Sequence, residues 1–476
     1  MRGIFPKLPP KYYEMPSRYK DCFYLANSSF FDSVNWYLHK AYEVVFPQLV
    51  DELMSISDLD ERQASNKVLN IIEILDQCDN LSDVRFPFKR NNNYSEPIRC
   101  FKVKHGSYAG FPSSLIGLRV SPNITRDDMK GLGVLSSHRL SALGIRSTGM
   151  FGSIKIDPKD YETEELEDIM EQYRLKCLKE DIKELVIEPD MICDETTAGW
   201  MFRKFVDEQA LFMAAGQGAF FSINYFLNNA LITSKLEFPT GILGKTFILQ
   251  GLGGMASNLA VYLQNAGAKC VGVKDYNSHV YMKEGLDIHE VISFKKEKGD
   301  LVGFDLAKPE DDFEIYKKDC DILILAARQK SILCHFANKI KAKLIVEAAH
   351  HPVTPSAYMT LGGHSKIVLP DLLVCGGSAI AINEKKQVEK NILNSRALGR
   401  FEENYSIIPE DLHSVIKDCK MEEKFSTYTI ANVISTMAQE MLNTCERYNL
   451  GFDFKTAVFI MSIRNIFQEI FTSRKF

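Results

Sequence analysis

A glycine-rich turn that follows an apolar run is the feature that most limits what this chain can fold into. The run KTFILQ ends at Gln250, and GLGGMA leads directly into NLAVYLQNAG. In such a turn Gly251 allows a tight bend, Gly253 lets the backbone approach a pyrophosphate, and Ala256 lies where helix and strand pack closely. Asp275 ends the next apolar run, where a carboxylate can bind a ribose 2′-hydroxyl. The pattern predicts a dinucleotide-binding strand, turn and helix; an unrelated strand, turn and helix is the alternative.

The apolar runs around this turn indicate the fold class. KCVGV, CDILILAA, KLIVEAA and KIVLPD are apolar throughout, which is typical of strands buried on both faces of a parallel sheet. Upstream, IRCFKVKHG, SLIGLRVS, SIKIDP and ELVIEPDM are β-rich pieces, and 162–179 is predicted to be helical. Helices are also predicted over 29–54 and 60–78, where apolar residues recur at helical spacing. The sequence therefore predicts an α/β protein with two sheets.

The C-terminal region is predicted to return to helix. Ile430, Val433, Met437 and Met441 form one apolar stripe, and a last helix is expected to run from an N-cap at Asp453 to about residue 471. At 476 residues the chain is too long for one ordinary core. We therefore expect N-terminal helices with a first α/β domain over 1–209, a Rossmann-like domain over 210–385, and C-terminal helices over 386–476 that pack back on the first domain.

Composition excludes several classes of function. Hydrophobic residues make up 45% and charged residues 25% of the chain, which is typical of a soluble globular protein. The net charge of -5 gives no electrostatic case for a nucleic acid or an anionic membrane. No apolar run reaches the roughly 18 residues of a bilayer span. The eleven cysteines include no C-x-x-C pair, so nothing points to a structural zinc site.

Motifs along most of the chain resemble animal glutamate dehydrogenase. GKTFILQGLGG, SFKKEKGDLVGF, DCDILILAA, KAKLIVEAA and ERYNLGFDFKTA occur in the order and near spacing of that family, as do KIDPKDYETEELE and EPDM upstream. The resemblance implies a two-domain amino-acid dehydrogenase fold and the conversion of glutamate to 2-oxoglutarate and ammonia with NAD or NADP. It also implies a mitochondrial homohexamer. The basic N-terminus is a poor transit peptide, however, and a flexible arm of a cytoplasmic protein is the alternative.

The family's substrate motifs are altered in this chain. The motif Lys-Gly-Gly-x-Arg matches the run from Leu115 to Arg119, so leucine stands where the resemblance places a substrate lysine. A second substrate lysine aligns with Arg139, whose planar guanidinium is not a point ammonium. The catalytic lysine aligns with Phe151, which has no proton to transfer. The serine that reaches the substrate carboxylate aligns with Ala381. The resemblance therefore implies a substrate site without its lysines.

Other site residues are partly retained. The family's catalytic aspartate is Asp190 in EPDMIC. By resemblance Ala326 and Ala327 lie beside the nucleotide with the glycine turn, His350 replaces an asparagine that faces the nicotinamide, and Ala215 replaces a threonine. We therefore expect any dinucleotide binding to be weak.

Two family segments are shortened here. A segment with substrate- and cofactor-facing residues is missing between about Glu208 and Ala214, and the interval that follows Gly399 is too short for the helical antenna of the animal enzymes. Antenna-dependent communication between subunits is therefore not expected.

These losses together predict an impaired or inactive family member. Removing one transition-state group typically costs about 10²- to 10⁴-fold in rate. The alternative is a working NAD(P)-dependent dehydrogenase that uses Arg139 and Asp190 on glutamate or another amino acid. No metal is predicted, because the adjacent His350 and His351 would rarely chelate one ion together. We expect a homo-oligomer, hexameric by family, alone or co-assembled with an active relative.

Overall fold

The computed structural model describes residues 13–20, 22–107, 111, 115–177, 186–190, 208–309, 313–389 and 421–472. Glu208 to Ala214, where the shortened segment is predicted, lie in a described helix, whereas the interval from Gly399 to Leu412 and most of the basic N-terminus lie outside the described residues. The helices are α1 Ser17–Lys20, α2 Cys22–Asn27, α3 Phe30–Ser55, α4 Glu61–Leu75, α5 Arg126–Ala142, α6 Thr163–Cys177, α7 Glu208–Leu227, α8 Ala230–Leu236, α9 Gly254–Asn265, α10 Ile288–Lys298, α11 Cys334–Ala337, α12 Pro355–Gly363, α13 Asp371–Val374, α14 Gly377–Glu389, α15 Met421–Arg447 and α16 Phe454–Thr472.

The strands form two separate sheets. They are β1 Asn80–Lys89, β2 Ser95–His105, β3 Leu115–Val120, β4 Gly149–Ile154, β5 Val186–Pro189, β6 Thr246–Gln250, β7 Lys269–Lys274, β8 Ser278–Leu286, β9 Lys308–Pro309, β10 Ile322–Leu325, β11 Leu344–Glu347 and β12 Ile367–Leu369.

The first sheet has the strand order β1-β2-β4-β3-β5. Strands β1, β2 and β4 pair antiparallel, whereas β4, β3 and β5 run parallel. Helix α5 packs against β2 and β4. It begins at a capping box in which the side chains of Thr125 and Asp128 each accept a hydrogen bond from the other's backbone N–H. The edge strand β1 was not predicted from the sequence, and it contains Pro87, which argues against a strand in a sequence pattern.

The second sheet has the strand order β12-β11-β10-β6-β7-β8-β9. Strands β12, β11, β10, β6 and β7 run parallel, and every residue of β10 and β11 is buried. The predicted parallel core is therefore confirmed, because strands apolar on both faces must be covered on both sides. Strands β8 and β9 extend this sheet antiparallel and were not predicted.

The C-terminal helices pack back on the first sheet's unit. Helix α16 contacts α3, α5 and α15. It begins where predicted, because the carboxylate of Asp453 accepts the backbone N–H of Thr456 at 3.1 Å. The apolar stripe of α15 faces inward, with Ile430 and Met441 fully buried. The expected helical return is confirmed, while the domain boundaries themselves stay predictions.

Helix α7 is strongly apolar. Among the residues that the structure describes, the segment Ala210–Leu227 is the one helix long and apolar enough to cross a membrane, and 61% of it is buried inside the protein. Burial of this kind is typical of a core helix, so this segment is only weak evidence for a membrane span.

Candidate functional site

One row of residues across the parallel strands of the first sheet forms the floor of the candidate site. Gly117 of β3 lies opposite Phe151 of β4 on one side and Glu188 of β5 on the other. Leu115 and Arg119 share the face of Gly117, because side chains alternate along a strand. A Cβ built at Gly117 would lie 2.3 Å from Cε2 of Phe151. The missing side chain at Gly117 is therefore what leaves room for the phenyl ring.

The Phe151 ring is closed off from water. It is 1% exposed, and its centroid lies 5.8 Å from that of the His350 ring in an edge-to-face contact. The guanidinium carbon of Arg119 lies 6.0 Å from the Phe151 centroid. An aromatic ring in this place offers packing and a weak cation–π contact but no proton and no charge. Leu115, 2% exposed, adds a second buried apolar side chain to this strand face.

Arg119 is engaged by acceptors from the protein itself. Its Nε donates to Oδ2 of Asp190 at 2.6 Å, and its Nη1 donates to Oε1 of Gln329 at 2.8 Å. Gln329 in turn donates to Oδ1 of Asp128 at 3.0 Å, so it joins the second sheet's unit to α5. The Arg119 side chain is 3% exposed. The retained aspartate Asp190 is thus a partner of this buried cation.

Arg139 is engaged in the same way. Its Nη2 donates to Oε2 of Glu188, and its Nη1 donates to the carbonyl of Cys375 at 3.2 Å. The other carboxylate oxygen of Glu188 accepts the hydroxyl of Ser378. Arg139, Glu188 and Ser378 are all buried. A carboxylate of the chain therefore lies where a ligand carboxylate would need to bind Arg139.

The two adjacent histidines serve different neighbours. His350 Nε2 lies 3.5 Å from Oδ1 of Asp190. Burial lowers the pKa of His350, which Asp190 opposes and the nearby arginines reinforce. His351 instead has a left-handed backbone with φ of 48°, and its ring contacts the hydroxyl of Ser33 at 2.8 Å. Within the described ranges, no group of three or more His, Cys, Asp or Glu residues could hold a metal ion.

A buried ion pair anchors the strand that precedes His350. The ammonium of Lys455 lies 2.7 Å from both carboxylate oxygens of Glu347, and both side chains are fully buried. Asp371 lies 3.8 Å from the same ammonium. The last helix is therefore tied to the carboxyl end of β11.

The glycine turn of the second sheet has the shape of an anion cradle. Gly251 has a φ of 88°, and a Cβ built there would lie 2.7 Å from the carbonyl oxygen of Ala326. Ala327 is also close, with its Cα 3.1 Å from that built Cβ. Gly253 is the N-cap of α9, and among the described residues no atom beyond its chain neighbours lies within 4 Å of a Cβ built there. Ala256 is buried against the strand. Open space at the start of a helix fits a pyrophosphate.

Asp275 follows β7, as predicted, but its carboxylate has a partner. Lys295 Nζ lies 2.6 Å from Oδ2 of Asp275 and donates to the carbonyl of Leu252 at 2.8 Å. A ribose hydroxyl at Asp275 would compete with this ammonium. Lys295 belongs to α10 and was not singled out from the sequence.

One predicted position differs from what surrounds Arg139, and residues that contact the two arginines were missed. Ala381 lies on α14, partly buried, but the hydroxyl that reaches the buried carboxylate there belongs to Ser378. Glu188 was also missed, although it lies two residues before Asp190, on the same strand face as a β pattern predicts. Gln329 gave no sequence signal that we can identify.

The two sheets, the glycine turn and the helical return define an amino-acid dehydrogenase fold. Residues 213–447 match the family model for Glutamate/Leucine/Phenylalanine/Valine dehydrogenase, and residues 79–207 match the dimerisation domain of Glu/Leu/Phe/Val dehydrogenases. Together these ranges span most of the chain, which therefore belongs to this family.

Relatives of known activity support the same assignment. The NADP-specific glutamate dehydrogenase of Saccharolobus shibatae is 27% identical over 350 residues, 71% of this chain and 81% of that protein. The mitochondrial glutamate dehydrogenase of Dictyostelium discoideum is 27% identical over 360 residues, 70% of this chain and 71% of that protein. A catabolic relative in Bacillus subtilis is NAD-specific, so NAD or NADP is the cofactor of the family.

Solved structures share the fold. The hetero-hexameric glutamate dehydrogenase of Thermus thermophilus, in a leucine-bound form, aligns with a TM-score of 0.69 at 19% identity over 89% of this chain and 95% of that one. The Plasmodium falciparum enzyme aligns with a TM-score of 0.68 at 18% identity over 94% of this chain and 95% of that one.

Proposed function

We propose that this chain is a glutamate dehydrogenase family member that keeps a dinucleotide-binding turn but does not turn over glutamate. The observation that carries the proposal is the buried ring of Phe151, at the position where the resemblance places the catalytic lysine. Acid–base catalysis requires a group that can give or take a proton within hydrogen-bond reach of the reacting carbon. The ring of Phe151 cannot do so, and the neighbouring Leu115 restores no charge.

The two buried arginines support the same proposal. A dicarboxylate substrate needs a free cation for each carboxylate, whereas Arg119 is bonded to Asp190 and Arg139 to Glu188. Freeing Arg139 would leave the buried carboxylate of Glu188 without its arginine, and freeing Arg119 would take the arginine away from the partly buried Asp190. Breaking a buried pair in this way costs about 3–5 kcal/mol. The substrate would therefore have to overcome two internal ion pairs before any chemistry began.

The cofactor half of the site is better preserved. Gly251, Gly253 and the start of α9 would hold a pyrophosphate, and Asp275 a ribose, with Lys295 as its competitor. A bound nicotinamide cofactor supplies a hydride acceptor. His350 stands at the family's asparagine position, which supports weak binding of the nicotinamide half.

Steady-state assays test the proposal directly. Purified chain is incubated with glutamate and NAD or NADP, and in reverse with 2-oxoglutarate, ammonia and NADH or NADPH, beside the Saccharolobus shibatae enzyme as positive control. We expect no turnover above background, and none after Phe151→Lys, because the paired arginines still exclude the substrate. Robust glutamate-dependent NADH formation that Asp190→Asn abolishes would instead support a working dehydrogenase.

Assembly and location are part of the proposal. A dimerisation-domain match and a hetero-hexameric structural relative support a homo-oligomer, hexameric by family, or a mixed assembly with an active relative. Light scattering that finds only monomer at micromolar concentration would contradict this. The animal-type resemblance and a mitochondrial relative favour the mitochondrion over the cytoplasm. Fractionation of cells with antibody detection distinguishes the two.

A further inference from the structure

A strongly exposed aromatic ring stands at the carboxyl end of β7. Tyr276 is 85% exposed and directly follows Asp275. The residues on either side of it are held, because the backbone N–H of Asp275 donates to the carbonyl of Ser278 at 2.9 Å and the side-chain amide of Asn277 donates to the Asp300 carboxylate at 3.1 Å. The ring therefore projects into solvent from a fixed turn. Its apolar faces are not buried against the rest of the protein.

The Tyr276 ring lies next to the groups predicted to bind the pyrophosphate and the ribose of a nucleotide. Lys295 touches both the carbonyl of Leu252, in the glycine turn, and the carboxylate of Asp275, so these two features lie within one side chain of each other. In a doubly wound sheet the pyrophosphate lies at the helix start and the ribose at the acid after the next strand. The base then extends beyond the ribose. Tyr276 is the residue that follows this acid.

A lysine from the first sheet's unit approaches the same ring. Lys159 Nζ lies 5.7 Å from the centroid of Tyr276, and Lys159 belongs to the short turn Pro158–Asp160. A cation at this distance is attracted by the π-face of an aromatic ring. Adenine is flat and has π-faces of its own. It can therefore stack on the Tyr276 ring and also make a cation–π contact with the Lys159 ammonium.

We propose that Tyr276 is the stacking platform for the adenine base of a bound dinucleotide. The inference rests on the dinucleotide binding proposed above and adds the subsite that recognises the base. Stacking needs the ring and not the hydroxyl. The ring makes this nucleotide half the stronger anchor of the cofactor, because the nicotinamide half meets the altered positions Phe151 and His350.

Calorimetric titration of the full chain with NADH and with 5′-AMP tests the platform. Tyr276→Ala should raise both dissociation constants by about 5- to 150-fold, the range of base–aromatic stacking. Tyr276→Phe should stay within about 3-fold of the unchanged chain, since it keeps the ring. Tyr94→Ala is the matched control, because Tyr94 is also exposed, at 64%, but lies in the turn between β1 and β2. Equal melting temperatures would show that all three variants fold.

The possible outcomes separate the two proposals. If the unchanged chain binds 5′-AMP and Tyr276→Ala binds it equally well, the platform is overturned and the proposed function stands. If Tyr276→Phe loses as much affinity as Tyr276→Ala, the hydroxyl and not the ring is responsible, and stacking is again overturned. If the unchanged chain binds neither NADH nor 5′-AMP, the retained dinucleotide binding itself is wrong.

Discussion

The contact between Gly117 and the Phe151 ring leads to a sharp stability prediction. We expect Gly117→Ala to destabilise the unchanged chain but to have little effect in a Phe151→Ala background. A methyl group at Gly117 would meet Cε2, Cδ2 and Cζ of Phe151 at 2.3, 2.6 and 3.0 Å. The ring cannot move away freely, because it is 1% exposed and packed against His350.

The magnitude follows from overpacking. Forcing an extra methyl into a packed core costs about 1–3 kcal/mol. Phe151→Ala by itself should cost about 3–5 kcal/mol, since it leaves a cavity where the ring was. In the double variant the new methyl of Gly117→Ala enters that cavity. The two substitutions should therefore be coupled by about 1–3 kcal/mol in the direction that favours the double variant.

Urea unfolding of the unchanged chain, the two single variants and the double variant measures this coupling. The matched control is Gly362→Ala, because a Cβ built at Gly362 meets no atom within 4 Å in the part of the chain that the structure describes. That substitution should add independently to Phe151→Ala. Additivity of Gly117→Ala and Phe151→Ala within about 0.5 kcal/mol would refute the placement of the ring over Gly117.

Three further predictions concern the buried charges and the glycine turn. Lys455→Met should lower the free energy of unfolding in urea by about 3–5 kcal/mol, because Glu347 loses its only close cation among the described residues. A cost below about 1 kcal/mol would contradict this. Burial lowers the pKa of His351 well below 6.5, so its stabilising contribution is complete above pH 6.5 and is lost as the pH falls below it. His351→Asn should therefore reduce the fall in unfolding free energy between pH 6.5 and 5.5 by up to about 1 kcal/mol, and equal slopes would disprove the assignment. Gly253→Val should weaken NADH binding at least about tenfold without lowering the melting temperature. Gly251→Ala should instead lower the melting temperature. Unchanged NADH affinity in Gly253→Val would show that the cofactor binds elsewhere.

Local patterns were sufficient for most of the fold. The apolar runs predicted β6, β10 and β11 because strands covered on both faces contain few polar residues. The N-cap at Asp453 predicted the start of α16, since a capping side chain acts on backbone groups within one turn. Strand β1 was missed because it is an edge strand with few buried residues and a proline.

The prediction that particular site residues are altered also came from sequence alone. Comparison with family motifs placed Leu115 and Phe151 at the lysine positions, and the glycine turn placed Gly251, Gly253 and Asp275 at a nucleotide site. These are properties of short segments, which can be aligned without knowing where they lie in space. Their roles stay predictions until binding and activity are measured.

The tertiary structure alone decided which groups these residues meet. The pairs Arg119 with Asp190, Arg139 with Glu188, and Asp275 with Lys295 join segments separated along the chain. Each pair depends on the register of the strands and on the direction of a long side chain. A shift of one residue in register would turn the side chains of a strand to the opposite face of the sheet. A charge in a sequence pattern does not reveal whether it is free for a ligand, because that depends on which opposite charge the folded chain brings within hydrogen-bond distance.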